Sequence, residues 1–258
     1  MKAAQIFDLT GKVALVTGAS SGLGARFARM LAANRAAVAL LARRGERLEA
    51  LRGQIEAEGG KAVAVVADVT DRAAMTRAFD RIETALGTVT VLVNNAGIAH
   101  ATRATEITQA EYRRVLDTDL DAAFFIAQEA ARRMLAAGTK GSIVNIASVL
   151  GLSVSKGTLA YAVAKAGVVQ FTRALALELG FKGVRVNAIA PGWFDTEINH
   201  DFLASDTGKA MTREIPIGRF GREGDLDGAL LLLASDAGAY MTGATVVVDG
   251  GQVVGIRG

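Results

Sequence analysis

The stretch Val13-Ala14-Leu15-Val16-Thr17-Gly18-Ala19-Ser20-Ser21-Gly22-Leu23-Gly24 decides the reading of this chain. An apolar run breaks into glycines. It is followed by Ala25-Arg26-Phe27-Ala28-Arg29-Met30-Leu31, whose apolar residues have helical spacing. The order is strand, tight turn, helix. Such a turn leaves helix N–H groups free above the strand end, where donors and helix dipole both favour an anion such as a diphosphate. Gly18 permits the sharp turn, Gly22 lets backbone approach the phosphates, and Gly24 lets the helix lie close on the sheet. On its own the Gly-x-x-x-Gly-x-Gly spacing also describes an ordinary Gly/Ser turn, so the rest of the chain has to arbitrate.

Working outward, strand-like and helix-like stretches alternate. Strands are expected at 38–41, 62–67, 89–93, 142–146, 184–189 and 245–248, and helices at 46–58, 71–86, 108–137, 159–179 and 225–234. Asp71 or Thr70 is the expected cap of the helix at 71–86. The strands are short, continuous and apolar, as strands covered on both faces are. Repeated strand–helix units imply an α/β fold, a doubly wound parallel sheet of seven strands with helices on both faces. No linker or charge run divides the chain, and 1–258 reads as one domain. Both prolines, Pro191 and Pro216, fall in the one region that breaks the rhythm, whose least regular stretch is 193–216.

The 258 residues are 51% hydrophobic and 21% charged, the balance of a globular protein. No apolar run reaches the ~18 residues of a membrane helix, and the start lacks the apolar core of a signal peptide. With no cysteine there is no disulfide and no thiol chemistry, which fits a reducing cytoplasm. His100 and His200 lie far apart without ligand spacing, so no metal site is expected. The net charge of +3 is dispersed, which argues against a nucleic-acid patch.

In doubly wound sheets ligands bind beyond the carboxyl ends of the strands. Polar or glycine residues stand at every such end: Arg43-Arg44, Asp68, Asn94-Asn95-Ala96-Gly97, Ser148 and Pro191-Gly192. The second end discriminates between cofactors. An acid there holds a free ribose hydroxyl, whereas a cation suits a 2′-phosphate. With Ala42 then Arg43 and Arg44, the chain reads as an NADP(H) protein, NAD(H) being the alternative. Tyr161 and Lys165 stand four apart, so on a helix phenol and ammonium share a face. An ammonium beside a phenol favours the phenolate and makes it a usable acid/base. Ser148 could hold the same substrate oxygen by a hydrogen bond. Tyr-x-x-x-Lys alone is more often a surface pair.

Together these motifs resemble the short-chain dehydrogenase/reductase family. The resemblance runs from about residue 9 to 251 and rests on 17–24, Asp68-Val69, Asn94-Asn95-Ala96-Gly97, Ser148, Tyr161 with Lys165, Asn187 before Pro191-Gly192, and Val248-Asp249-Gly250-Gly251. It implies Tyr161 as general acid/base, Lys165 as its partner and ribose ligand, and Ser148 as the group polarising the carbonyl. The dinucleotide would touch Gly18, Ser20, Ser21, Gly22, Leu23, Gly24, Arg43 and Arg44. Asp68 and Val69 would meet adenine, with Asn94, Asn95, Ala96 and Gly97 lining the cleft. Pro191, Gly192, Trp193, Phe194 and Thr196 would surround the nicotinamide, Thr196 holding its carboxamide. One departure stands out. The family's usual asparagine behind the lysine, which anchors a water in its proton relay, is Asp119 here. Asp119 is expected to remain in the relay and to alter the pH optimum.

The implied activity is interconversion of a ketone and a secondary alcohol. Family members carry a substrate lid at the equivalent of 193–216. Here Trp193, Phe194, Ile198, Phe202, Leu203 and Met211 would give it an apolar face and select a fairly apolar substrate. His100 either borders the pocket or is solvated. Two alternatives remain. A reductase of a carrier-bound 3-oxoacyl group would dock an acidic carrier on Arg103, Arg132 and Arg133. A catalytically silent nucleotide sensor would have lost Tyr161 or Lys165, and both are present. The family also implies a homotetramer, for which the alanine-rich 122–131 would permit close helix approach.

Overall fold

The computed structural model of the chain describes residues 2–195 and 205–254. Its strands are β1 (Val13–Thr17), β2 (Ala37–Ala42), β3 (Lys61–Val66), β4 (Val91–Asn94), β5 (Gly141–Ile146), β6 (Val184–Pro191) and β7 (Thr245–Val248). They form one parallel sheet in the order β3-β2-β1-β4-β5-β6-β7. The chain winds outward from β1 to β3, then crosses back to lay β4 on the other side of β1. That reversal places a crevice above β1 and β4, where ligands bind in such sheets.

The helices are α1 (Ala3–Ile6), α2 (Gly22–Ala33), α3 (Gly45–Ala57), α4 (Arg72–Leu86), α5 (Gln109–Leu116), α6 (Ala122–Ala136), α7 (Leu159–Leu179), α8 (Asp206–Thr212) and α9 (Asp227–Ala234). Strand residues alternate between two cores. Ala14 and Val16 face Phe27 and Leu31 of α2, Ile55 of α3 and Leu230 of α9. Val13 and Leu15 face Phe79 of α4, Met134 of α6 and Leu179 of α7. All five β1 residues are buried, so the apolar run is explained by burial on both faces. Among the described residues no helix is long and apolar enough to cross a membrane.

Two expected helices differ in detail. The stretch 108–137 is not one continuous α-helix. Thr108 caps α5 in a reciprocal capping box with Glu111. Residues Asp117–Asp121 then form a π-helical segment before α6 begins. The stretch 225–234 starts as a 3₁₀ turn, Glu223–Leu226, and becomes α-helical only at Asp227. Asp71, not Thr70, caps α4, its carboxylate accepting the Ala74 N–H at 2.9 Å.

Candidate active site

At the end of β1, the Thr17 hydroxyl accepts the backbone N–H groups of Asn95 (2.9 Å) and Ala96 (3.0 Å). In return the Asn95 amide donates to the Thr17 carbonyl at 2.9 Å. This clamp locks the β1 and β4 ends together and sets the floor of the glycine turn. Gly18 and Gly22 have φ of +69° and +51°, a conformation that favours glycine. Gly24 has no room for a side chain. A Cβ there would overlap the Gly18 carbonyl oxygen and stand 2.6 Å from Asn95 Nδ2. Ser21 caps α2 with extended backbone and no side-chain cap bond, so the first-turn donors are not covered by a side chain. A glycine cradle over a helix N-terminus fits a dinucleotide diphosphate.

The β2 end carries the cations. The Arg44 guanidinium donates to Ser20 Oγ (3.1 and 2.8 Å) and to Ser21 Oγ (2.6 Å). Arg43 is exposed, with Nη1 3.8 Å from Asp68 Oδ2. Hydrogen bonds from the Thr70 N–H and hydroxyl hold the Asp68 carboxyl below its ordinary value, with Arg43 adding to the effect. The Arg44 guanidinium and two hydroxyls thus converge beside the cradle, with the exposed Arg43 at the same strand end, a donor set that fits a phosphate monoester.

The reacting end is built by β5 and α7. Ser148 follows β5, is buried, and caps the 3₁₀ turn Val149–Gly151 by accepting the Leu150 N–H at 3.1 Å. That turn lies directly on α7: a Cβ on Gly151 would stand 2.7 Å from the Lys165 carbonyl. Lys165 is buried, its Nζ donating to the Ile146 carbonyl at 3.1 Å. Nζ lies 5.4 Å from the centre of the Tyr161 ring and 3.4 Å from Asp119 Oδ2. Burial alone would lower the Lys165 pKa, but Tyr161 and Asp119 outweigh it and the ammonium is favoured. Asp119 sits in the π-helical segment with its side chain wholly buried. Its Oδ1 accepts the Ile98 N–H at 2.8 Å, and burial raises its pKa. π-Helical turns recur at functional sites, where they re-aim one side chain.

The structure brings Ser148, Tyr161, Lys165, Asp119 and Gly97 to one rim, beside the glycine cradle. Several expectations need correction. The Asn94 side chain does not line the cleft. It is buried, donating to the Ala123 carbonyl (2.5 Å) and to Asn145 Oδ1 (3.2 Å), because its place in β4 turns it toward β5 and α6. Asn95 is occupied by the clamp. Phe194 is a core residue, 5% exposed and packed on Gly221, rather than part of an apolar lid face. Leu23 and Val69 are half-buried, each packed against a hydrophobic core. His100 is not a solvated loop residue. Its side chain is largely buried, with Nε2 3.4 Å from both Glu111 and Thr102. Pro191 ends β6 and is buried, and Gly192 donates to the Val248 carbonyl at 2.9 Å. The Trp193 N–H donates to Gln252 Oε1 at 3.3 Å. Thr196, Ile198, Phe202 and Leu203 lie outside the described residues.

Sequence reasoning missed the Thr17 clamp and the buried chain from Asn94 through Asn145 to Thr172, whose hydroxyl accepts the Asn145 amide at 2.9 Å. The available signal was polar residues inside otherwise apolar strands, with Asn94 and Asn145 paired in register. A cavity of about 850 Å³ opens at the opposite rim, lined by Lys12, Lys140, Arg173 and Arg185 among others. It is remote from the strand ends that carry the motifs.

A parallel doubly wound sheet with a glycine cradle at its switch point and a serine–tyrosine–lysine rim defines a dinucleotide-dependent oxidoreductase. The chain belongs to the short-chain dehydrogenase/reductase family: the family model described as enoyl-(acyl carrier protein) reductase matches residues 18–252. A D-threitol dehydrogenase of Mycolicibacterium smegmatis is 38% identical over 248 residues, covering 96% of this chain and 95% of that protein. A 3-oxoacyl-[acyl-carrier-protein] reductase of Pseudomonas aeruginosa is 37% identical, covering 95% and 98%. The crystal structure of a gluconate 5-dehydrogenase from Burkholderia cenocepacia, in complex with NADP and tartrate, superposes with a TM-score of 0.94. It is 33% identical and covers 99% of this chain and 100% of that one. Membership makes the chain an oxidoreductase acting on the CH–OH/C=O pair.

Proposed function

We propose that this protein interconverts a ketone and a secondary alcohol with NADP(H), Tyr161 carrying the proton. The observation that carries the reading is the buried Lys165 ammonium. It is pinned by the Ile146 carbonyl, faces the Tyr161 ring at 5.4 Å, and lies one 3₁₀ turn from Ser148. The convergence of Arg44, Ser20 and Ser21, with Arg43 exposed at the same strand end, supports the phosphorylated cofactor, as does the NADP held by the related gluconate dehydrogenase. When bound, the nicotinamide supplies or accepts the hydride. The protein's own residues do the rest. Ser148 Oγ accepts the Leu150 N–H, which leaves its proton to donate to the substrate oxygen. Tyr161 gives its hydroxyl proton to the oxygen of the forming alcohol, or takes it back in the reverse direction. Lys165 holds positive charge against both. Tyr161→Phe should abolish turnover of any ketone while leaving NADPH binding intact. Retained turnover would refute the assignment.

The substrate reading is a fairly apolar ketone or secondary alcohol. Leu152 and Val154, in the loop that follows Ser148, expose apolar side chains and support it. The relative named for D-threitol supports a polyol instead. Relative kcat/KM on aryl and alkyl ketones against polyols and sugar acids decides between them. The carrier-bound 3-oxoacyl reading has the Pseudomonas relative in its favour. Its docking patch, however, loses Arg133, which is held by Asp80, Glu83 and Glu129 at 2.7–2.8 Å. Arg103 and Arg132 are left. Binding of NADPH without turnover of any carbonyl would move the reading to the silent sensor. The proposal includes a single domain and a homotetramer. Leu159, Val163 and Leu177 of α7 present an exposed apolar row that supports a helix-to-helix interface. A monomer by light scattering would refute the assembly.

A further inference from the structure

Asp119 stands where the resemblance leads one to expect a neutral amide, and the geometry around it calls for a carboxylate. Two donors converge on it from different elements. The Ile98 N–H reaches Oδ1 at 2.8 Å, and the Lys165 ammonium faces Oδ2 at 3.4 Å. An asparagine has one oxygen and cannot serve both. Its NH₂ would confront either an N–H or an ammonium. The site is also tight, since a Cβ on Gly97 would stand 2.7 Å from Oδ2. The π-helical segment aims Asp119 inward, while its neighbours Asp117 and Asp121 point outward to Arg113.

We propose that Asp119 is a positioning residue that pins Lys165 by a direct ion pair. By its own charge it opposes loss of the catalytic proton, which favours carbonyl reduction over alcohol oxidation. This rests on the reading that Tyr161 carries the proton. In reduction the Tyr161 O–H bond breaks as a new O–H bond forms on the substrate oxygen, so the protonated cluster is the working form. Oxidation needs the deprotonated one. With Asp119 and Lys165 both charged, the protonated cluster is neutral and losing the proton makes it an anion. With a neutral residue at 119, and Lys165 still held as the ammonium by Tyr161, the same loss would take a cation to neutrality. The groups facing this cluster among the described residues are few. Ser148 and the Ile146 carbonyl face it from β5 and its following turn, and Tyr112 of α5 shares its apolar surroundings. His100 is tied to Glu111 farther along the loop.

The carboxylate lies no more than about 9 Å from the Tyr161 ring centre, the two legs being 3.4 and 5.4 Å. At an effective dielectric of ~20 a unit charge at that distance shifts a titration by about one pH unit. The test is an ultraviolet tyrosinate titration of the apoprotein, wild type against Asp119→Asn, with Tyr161→Phe identifying which transition belongs to Tyr161. The pH profile of kcat/KM for alcohol oxidation is measured alongside. In Asp119→Asn both the spectroscopic midpoint and the ascending limb of the oxidation profile should move down by about one unit. If that variant fails to fold, Asp119→Ala supplies the same comparison. An unmoved midpoint, with Tyr161→Phe still inactive, overturns the inference and leaves the proposed function standing. Full turnover by Tyr161→Phe overturns the proposed function and this inference with it.

Discussion

Removing Arg44 is the sharpest test of cofactor choice. Its guanidinium makes three hydrogen bonds to the Ser20 and Ser21 hydroxyls. An incoming 2′-phosphate would exchange these bonds to neutral hydroxyls for bonds between two ions, a gain held to ~1–2 kcal/mol by the exposure of the site. The net difference is about 1–2 kcal/mol, or ~5- to 30-fold in affinity. Arg44→Ala should therefore weaken NADPH by that factor and leave NADH within about twofold. Arg43 is exposed, with a side chain 75% accessible. A unit charge at ~4 Å in water contributes ~1 kcal/mol, so Arg43→Ala should cost about fivefold. The assay is the dissociation constant of each nucleotide by cofactor fluorescence, at low and high salt. The preference for NADPH should shrink at high salt, because the charges are exposed. Equal losses for NADPH and NADH would refute the reasoning, and so would a wild-type preference for NADH.

Other outcomes follow from packing and titration. Gly24→Ala forces a methyl onto the Gly18 carbonyl, where the backbone cannot yield. It should lose dinucleotide binding and ~1–3 kcal/mol of stability, read by calorimetry and cofactor fluorescence. Phe194→Ala empties a core site that is 5% exposed. It should cost ~3–5 kcal/mol, a fall of about 10 °C in Tm; a change under about 2 °C would place Phe194 outside the core. Arg133→Ala leaves three carboxylates unneutralised and should lower Tm without changing kcat/KM on a small ketone. Asp68 is held below its ordinary value of 3.8, so its stabilising contribution is present above that pH and is lost as pH falls through the lower folded value. Asp68→Asn should therefore lower Tm at pH 7, with the difference shrinking as pH falls below 3.8.

The strands were legible because each is buried on both faces and so runs apolar without interruption. The glycine turn was legible because its positive φ values and close approaches admit little else. Tyr161 and Lys165 could be paired from helical spacing. The break in the helix at Asp117–Asp121 could not be read: its residues are compatible with an α-helix, and the wider turn becomes favourable only once Asp119 reaches Ile98 and Lys165. Asn94 misled for the opposite reason. A polar residue at a strand end reads as cleft lining, yet its in-register partner Asn145 draws it into the interior. Phe194 and His100 were placed by tertiary neighbours, Gly221 and Glu111, that are distant in the sequence or uninformative on their own.

The π-helical segment also restricts how this chain can tolerate insertions and deletions. A π-helical turn holds one residue more than an α-helical turn, so it takes in that residue without rotating the helix that follows. Deleting one residue within Asp117–Asp121 would let a regular helix run from α5 into α6 with the Phe79-facing side of α6 kept in phase. The same deletion would carry the buried carboxylate out toward Arg113. The packing of α6 would survive that loss and the carboxylate behind Lys165 would not: the extra residue in this turn serves the site rather than the fold.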